Sequence, residues 1–376
     1  MRSAVLVALV SLLAACPHKG AAPPGAGESA VVPTGDARTR AVLEEGAADL
    51  DVSVRRTALA ALVRSAPEAA GGAWGKRGRF DPSEYVHRAV IDALEARPVE
   101  PESVLLLRDF ATGEDVEAWT RGRALLAMAR VDPEGAAVIR EAASVSGNPA
   151  VLLAAALVGD APLLEKLGTR LSAGDLPLEL WFFGEVARSG LDALVHPLER
   201  AIVGSEPEVQ GALVAALARL SPEQAHAPFE LLLAAEPEVV LDAVDALRET
   251  GGPGAVALLY RARSVADEFV AGTARLALVA LGERQLNEAL ETLSAKKMDP
   301  ELRVAAYEAL GMRLRQEPDV RGADRARAVL REALTSDDPR AQMAAIAGLP
   351  GDPALRGLLD DESLRVRVNA AAQFVR

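Results

Sequence analysis

The sequence has little of the side chains that build disulfides, metal sites and aromatic cores. It has one cysteine, four histidines and 3% aromatic residues in a chain of 376 residues. One cysteine cannot form a disulfide within a single chain. The histidines, His18, His87, His196 and His226, have no second histidine or cysteine at the spacing of a zinc site. We therefore predict no metal site and no other cofactor.

Catalytic motifs are also missing. There is no His-Glu-x-x-His, no Gly-x-Ser-x-Gly and no cysteine available as a nucleophile. Gly75-Lys76 has the ending of a phosphate-binding loop, but Ala70 stands where its first glycine belongs and Arg77 where Ser or Thr must bind magnesium. We predict no catalytic residue and a protein that is not an enzyme.

The charge of the chain excludes one class of partner. Its formal net charge is −13 at pH 7, with 54 acidic and 41 basic residues. Nucleic-acid binding is driven largely by basic residues that release counterions from phosphates. We therefore expect no nucleic-acid partner, and no adhesion to anionic lipid beyond an anchor.

The composition favours packed helices. Half of the residues are hydrophobic and a quarter are charged, so the core must come from alanine, leucine and valine. A single compact core of 376 residues would be unusually large. A solenoid avoids this limit, because each repeating unit contacts only its neighbours.

A repeated helix start supports the solenoid. The best copy runs from Asp299 to Leu310: an acidic residue and a proline begin the helix, and Leu302, Ala306, Ala309 and Leu310 form an apolar stripe at the helical period. The helix recurs about every 31 residues, a spacing that holds two helices and their turns. The other copies are anchored at Val54, Val86, Thr120, Val151, Leu178, Val209, Val239, Val270, Ala341 and Leu364.

These pairs resemble HEAT repeats, in particular the short variety of the phycobilin-lyase proteins. The resemblance implies an all-α fold, an α-α superhelix of about eleven helix pairs over residues 37–376, with the second helices on the concave face. It also implies structural ladder pairs between a turn aspartate and an arginine in the same or the next unit. The positions that match are Asp51 with Arg55, Asp299 with Arg303 and Asp361 with Arg365.

The ladder pattern has departures. His87, Gln210 and Val240 stand where other units have the arginine. We therefore do not expect a continuous ladder of charge.

Residues 71–80 interrupt the pattern where a first helix belongs. The segment contains four glycines, each of which costs about 1 kcal/mol in a helix, so the sequence predicts a loop. It also concentrates basic and aromatic residues on an acidic protein. It is either a tolerated surface insertion or a loop that binds an acidic partner through Trp74, Lys76, Arg77, Arg79 and Phe80.

The N-terminus has the features of a secretory signal. Arg2 precedes an apolar run of about ten residues, too short to span a membrane. The following Leu13-Ala14-Ala15-Cys16 resembles the lipobox of bacterial lipoproteins. The resemblance implies a signal peptide over 1–15, cleavage before Cys16, lipidation of Cys16 and a membrane anchor. The alternative is an ordinary cleaved signal with an incidental cysteine.

Residues 16–36 are rich in Gly, Ala and Pro and predict a flexible tether. Pro17 follows the cysteine where aspartate would retain an enteric lipoprotein in the inner membrane. We expect an outer-membrane protein facing the periplasm, with the periplasmic face of the inner membrane as the alternative.

Two hypotheses for function follow. The first is a lipid-anchored scaffold or adaptor of the cell envelope that binds another protein through a curved helical surface. The second is an accessory enzyme, or a protein that handles a chromophore or other ligand, related to the phycobilin lyases.

Overall fold

The computed structural model describes residues 37–65, 68–97, 100–174, 179–295 and 297–375. They belong to one compact unit, Gly35–Arg376. The predicted signal peptide, Cys16 and the tether lie outside the described residues and stay predictions.

Within the described residues the chain is all helical, with 21 α-helices, three 3₁₀ helices and no strand. They form eleven consecutive pairs, so the predicted all-α solenoid is confirmed. The first helices are α1 Ala37–Gly46, α3 Glu68–Arg79, α5 Pro101–Thr112, α7 Ala136–Val145, α9 Ala161–Ser172, α11 Val195–Gly204, α13 Pro222–Leu232, α15 Gly252–Ala262, α17 Leu286–Ser294 and α19 Ala323–Ala333. In the last pair, the 3₁₀ helix Pro353–Asp360 takes this place; the other two 3₁₀ helices, Pro133–Gly135 and Asp192–Leu194, lead into α7 and α11.

The second helices are α2 Val52–Ser65, α4 Glu84–Glu95, α6 Ala118–Val131, α8 Pro149–Leu157, α10 Leu180–Ser189, α12 Pro207–Leu220, α14 Pro237–Thr250, α16 Glu268–Ala280, α18 Pro300–Gln316, α20 Pro339–Gly348 and α21 Leu364–Ala372. Each stacks on the second helix of the next pair. Side chains of α6 reach α10, and side chains of α14 reach α18, across the helix between them. The second helices therefore lie on the concave side.

The repeated sequence motif explains how these helices begin and what they bury. Asp299 caps α18 by accepting a hydrogen bond at Oδ1 from the Glu301 N–H at 2.8 Å, and Pro300 occupies the first turn. Ala306 and Leu310 are fully buried in the stripe that the sequence predicted. A capped start and an apolar face thus account for this unit locally, and stacking on the neighbours buries that face.

The ends of the row meet. Helices α1 and α2 both contact α21, which also contacts α20. Val368 is fully buried and packs over Gly46, where a Cβ would overlap its Cγ2. The Arg367 guanidinium lies 2.6 Å from Glu45. The second helices of the unit Gly35–Arg376 thus form a closed row, which we call the ring, and we call the contact between α21 and the first pair the seam.

Helix α8 is unlike the other second helices because it is apolar on every side. All residues from Pro149 to Ala156 are buried. A helix without a polar face must be covered all round, and α6 and α10 meet over its concave side. There the Trp119 and Trp181 rings pack edge to face with centroids 5.7 Å apart.

The loop predicted at residues 71–80 is wrong, because most of the segment belongs to α3. Gly75 and Gly78 lie where α3 meets its neighbours. A Cβ at Gly75 would overlap Leu106 of α5, and a Cβ at Gly78 would overlap Val90 of α4. Close packing of α3 on these helices offsets the conformational cost of glycine. The loop prediction considered only that cost.

No helix in the described part of the chain is both long enough and apolar enough to cross a membrane.

Candidate binding surfaces of the ring

Only some of the predicted binding residues in segment 71–80 are exposed and can contact a partner. Lys76 and Arg77 are exposed on α3, and Phe80, in the turn after it, is 73% exposed. The Trp74 ring is half-buried against the core, and the Arg77 guanidinium stacks over it at 5.5 Å. These four residues therefore form a surface that faces outward.

Arg79 does not belong to that surface. Its side chain is 4% exposed and makes two hydrogen bonds to Asp115, at 2.7 and 3.0 Å. It also lies 3.4 Å from Asp109 and stacks on the Phe110 ring. The hydrogen bond from Arg79 lowers the pKa of Asp115 to about 2. Arg79 therefore holds α3 to α5 and to the turn after α5, which corrects its predicted place facing a partner.

The ladder forms at Arg55, but with the next unit. Its Nε and Nη2 donate to the Asp81 carboxylate at 2.8 and 3.2 Å, and Asp81 lies in the turn of the following pair. Its Nη1 donates to the carbonyls of Asp49 and Leu50 in its own turn. Arg55 thus joins two neighbouring units, as the family resemblance implied.

The three turn aspartates bind the backbone of their own turns. Asp51, Asp299 and Asp361 accept hydrogen bonds from backbone N–H groups two residues ahead, at 2.7 to 2.8 Å. Asp51 and Asp299 thereby cap α2 and α18, whereas Asp361 accepts from Ser363, the residue before α21. No ion pair joins Asp299 to Arg303 or Asp361 to Arg365 in the described residues. These two predicted pairs are therefore corrected, because a carboxylate that accepts from its own backbone points away from the arginine.

The position after the anchor has a role that the sequence did not reveal. Its side chain donates to a carbonyl of its own turn in five units. The donors are Arg55, His87, Arg121, Gln210 and Gln342. The Gln210 amide, for example, lies 3.0 Å from the Ser205 carbonyl. The charge ladder is interrupted at His87 and Gln210, yet the hydrogen bond that fixes the turn is kept.

His87 makes this bond as a neutral side chain. Its Nε2 lies 2.7 Å from the Asp81 carbonyl, and its ring packs edge to face on Phe110. Burial lowers the pKa of His87. It is a structural histidine, and no group of described residues is arranged to hold a metal ion.

A buried charge network lies on the concave side between α4, α6 and α10. Arg123 is 8% exposed and contacts Asp92 at 2.6 Å and Glu95 at 2.5 Å. The Glu185 side chain, 1% exposed, receives Arg130 from α6 and Arg188 from its own helix. The network therefore links two units across α8, and we call it the α8 bridge.

The electrostatics of the α8 bridge are set by burial and pairing together. Burial would raise the pKa of Glu95, but Arg123 and Arg130 outweigh it and hold the pKa at about 2. Burial raises the pKa of Asp92, although Arg123 opposes it. Paired buried charges of this kind are costly to break because one partner is left uncompensated. The bridge therefore holds α4, α6 and α10 together through paired charges.

A second network lies on the other half of the concave side. Arg248 of α14 contacts Asp245 at 3.2 Å and Glu308 of α18 at 2.9 Å. The surrounding protein raises the pKa of the Asp245 and Glu249 carboxyls by removing bulk water. This half of the concave side is acidic.

Exposed apolar side chains gather at one edge of the ring. Because successive helices run antiparallel, the turns between the first and second helix of each pair share one edge, which we call the rim. Of the eight large apolar side chains that are exposed in the described residues, only Leu105 stands elsewhere. The seven rim residues are Leu50, Phe80, Tyr85, Val145, Leu180, Val203 and Leu231.

Comparisons with known proteins assign neither a family nor a function to this chain. No protein-family model matches the chain, and no curated protein matches it in sequence. A solved structure described as "Molecular features of the UNC-45 chaperone critical for binding and folding muscle myosin" is similar over 89% of this chain, with 13% identity and a TM-score of 0.25. The chain spans half the length of that structure. At this TM-score the likeness carries no argument. The chain is described as a helical-repeat protein from its own helices and their stacking.

Proposed function

We propose that the chain is a lipid-anchored scaffold of the cell envelope that binds another protein through the rim. The finer assignments belong to this proposal: short HEAT-like repeats, lipidation at Cys16, a place at the outer membrane facing the periplasm and a role without catalysis. The observation that carries protein binding is the concentration of exposed apolar side chains at one edge. Such side chains, set among polar residues, are typical of protein interfaces.

The rim between the sixth and eighth pairs combines exposed apolar side chains with exposed carboxylates. Val203 and Leu231 are 88% and 78% exposed, each one residue before the end of its helix. The turns of the sixth to eighth pairs and the first turns of α12, α14 and α16 carry exposed carboxylates without an ion pair in the described residues. They are Glu206, Glu208, Glu236, Glu238, Asp267 and Glu268. Charge complementarity therefore favours a partner whose surface is basic around apolar side chains.

Lys76 and Arg77 of α3, beside the rim residue Phe80, define a second region for the same function. Lys76 and Arg77 could face an acidic part of the partner, with Phe80 as an apolar anchor. The rim carries more exposed apolar side chains, so we place the main contact there.

A capture experiment compares these regions. The full-length chain serves as bait for detergent-solubilised envelope, beside three variants. They are Val203→Ser with Leu231→Ser, Lys76→Ser with Arg77→Ser, and Leu105→Ser as an exposed apolar control off the rim. We expect the rim variant to lose a stoichiometric protein that the control retains. Equal capture by the rim variant and the control would overturn the proposal.

The anchor is tested by detergent-phase partitioning. We expect the chain to enter the detergent phase and Cys16→Ala to remain unlipidated in the aqueous phase, because diacylation supplies the buried methylenes that hold a protein at a membrane. Processing and membrane attachment of Cys16→Ala at the parent level would refute the anchor.

One observation favours ligand handling as a second candidate function. A cleft of about 420 Å³ lies between α17, α18 and α19. Its lining includes the apolar side chains of Leu290 and Val329 and the polar side chains of Tyr307, Arg325 and Glu332. Burial raises the pKa of Tyr307. A coloured or co-purifying small molecule that is lost on substitution of Tyr307→Phe would favour this function over the scaffold.

A further inference from the structure

Two regions of opposite charge lie at the rim. The first, which we call the basic region, consists of the exposed residues Leu50, Lys76, Arg77 and Phe80. Arg55 holds its two turns side by side, because the guanidinium donates to the Leu50 carbonyl and to the Asp81 carboxylate, each at 2.8 Å. Lys76 and Arg77 stand in the last turn of α3 and form no ion pair in the described residues. Residues 72–80 contain no acidic side chain, so the charge of this region is positive only.

The second region lies on the sixth to eighth pairs, and we call it the acidic region. It consists of the apolar side chains and carboxylates that are exposed there, Val203, Leu231, Glu206, Glu208, Glu236, Glu238, Asp267 and Glu268. Helix α12 packs on α14 so closely that a Cβ at Gly211 would overlap the backbone of Ala243. Residues 201–210, 231–244 and 264–273 contain no lysine or arginine. Negative charge therefore surrounds the apolar side chains of this region.

The two regions are complementary, but they cannot meet within one chain. The basic region belongs to the first and second pairs, and the acidic region belongs to the sixth to eighth. In the closed ring, the third to fifth pairs separate them on one side and the ninth to eleventh pairs separate them on the other. The two regions thus lie at the same edge of the ring, on opposite sides of it.

We propose that the rim binds the rim of a second copy of this chain, with the basic region of each copy on the acidic region of the other. The inference rests on the proposed protein-binding function of the rim and names its partner. With a two-fold axis between the copies, the contact between a basic and an acidic region occurs twice. Lysine and arginine then face carboxylates, and the contact removes the apolar side chains of both regions from water.

The charge of the whole chain restricts how two copies can associate. At a formal net charge of −13, two copies repel each other. Contact between a basic and an acidic region replaces this repulsion with attraction at the interface, whereas contact between two acidic regions would increase it. Once one contact forms, the second forms within the same complex, so each strengthens the other. Charge therefore selects this one arrangement of two rims.

Sedimentation velocity of the full-length chain tests the dimer. All chains carry Cys16→Ala, so that no lipid or detergent micelle contributes to the sedimenting mass. We expect the parent to be in equilibrium between monomer and dimer, without larger species. Reversal of either region, by Lys76→Glu with Arg77→Glu or by Glu206→Lys with Glu236→Lys, should weaken the dimer at least about a hundredfold, because like charges then face each other.

The control for charge reversal is Arg275→Glu. Arg275 is an exposed arginine of α16 that lies outside both regions and has no ion pair in the described residues. This variant should dimerise as the parent does.

A mixture of the two charge-reversed variants gives the sharpest test. Each variant alone places like charges in both contacts. In a mixed pair, the reversed basic region of one copy meets the reversed acidic region of the other, and the two unchanged regions meet as in the parent. We expect the mixture to dimerise within about tenfold of the parent affinity. Such a recovery would also show that both variants are folded.

Several outcomes would contradict the dimer. They are a parent that stays monomeric at about 100 μM, reversed variants that dimerise as the parent does, and a mixture that stays monomeric. Growth to larger species with concentration would indicate a head-to-tail contact that does not close, which is incompatible with the two-fold arrangement.

The capture experiment separates this proposal from the scaffold function. If the parent is monomeric and the variant with Val203→Ser and Leu231→Ser still loses a captured protein, the partner of the rim is a different protein and only the proposal of a second copy fails. If the parent is monomeric and this variant captures as Leu105→Ser does, both proposals fail.

Discussion

Removal of Arg123 tests whether the α8 bridge stabilises the ring. In Arg123→Met the methionine fills part of the space of the arginine but has no charge. The carboxylates of Asp92, Glu95 and Glu185 then lose a guanidinium that lies 2.5 to 3.8 Å away. Breaking a buried ion pair from one side typically costs about 3–5 kcal/mol.

The pKa of Glu95 gives a second route to this magnitude. It falls from 4.5 to about 2 on folding, which corresponds to about 3 kcal/mol of stability at neutral pH. Arg123 and Arg130 share that effect, so Arg123→Met removes part of it and adds the cost at Asp92 and Glu185. We expect a loss of about 3 kcal/mol in the free energy of unfolding at pH 7.

The direction of the Glu95 pKa shift predicts how the stability changes with pH. Because the folded pKa of Glu95 is depressed, its stabilisation is complete above pH 4.5 and is lost as the pH falls towards 2. Without Arg123 the folded pKa rises towards 4.5, so the stability difference between parent and variant should shrink over this interval.

Urea unfolding followed by far-UV circular dichroism at pH 7, 4 and 2.5 measures the difference. Arg275→Met is the control and should stay within about 0.5 kcal/mol of the parent, because the side chain is exposed and without an ion pair in the described residues. If Arg123→Met unfolds like this control, or if its deficit is the same at all three pH values, the argument from the α8 bridge is refuted.

Three further predictions concern packing, the seam and the turns. Gly75→Ala should lower the free energy of unfolding by about 1–3 kcal/mol because its Cβ overlaps α5, whereas Gly184→Ala, with open space around it in α10, should raise it by up to about 1 kcal/mol; urea unfolding compares them. Val368→Asp should cost about 4 kcal/mol and enlarge the radius of gyration in small-angle X-ray scattering, and an unchanged radius would contradict closure at the seam. Gln210→Ala should cost about 1 kcal/mol through its lost hydrogen bond, with Gln210→Glu equally weakened because a carboxylate cannot donate to the Ser205 carbonyl.

The helical units were predictable because their causes are local. The capping Asp299, the proline after it and the apolar stripe to Leu310 all lie within one helix, and the structure has them as expected. The prediction for segment 71–80 was wrong because the cause of its helix is not local. Its glycines are unfavourable in an isolated helix, and only contact with Val90 and Leu106 shows why α3 tolerates them.

The candidate surfaces were less predictable. The turn aspartates were predicted to have a structural role. A turn carboxylate can bind its own backbone or pair with an arginine, and the sequence pattern is the same in both cases. Arg79 was recognised as basic, yet its burial against Asp115 depends on the approach of two helices. The rim was not recognised, because an isolated Val203 or Leu231 in a helix is indistinguishable from a core residue until the stack is built.

The sequence alone determined the all-helical class, the repeat of about eleven pairs and the acidic charge, since these follow from composition and from a period within single units. Only the tertiary structure decided that the row closes at the seam and that Arg123 and Glu185 meet across α8. The physical reason is that small differences in packing between successive units add up along a solenoid. Contacts between units far apart in sequence depend on that sum, which no single repeat contains.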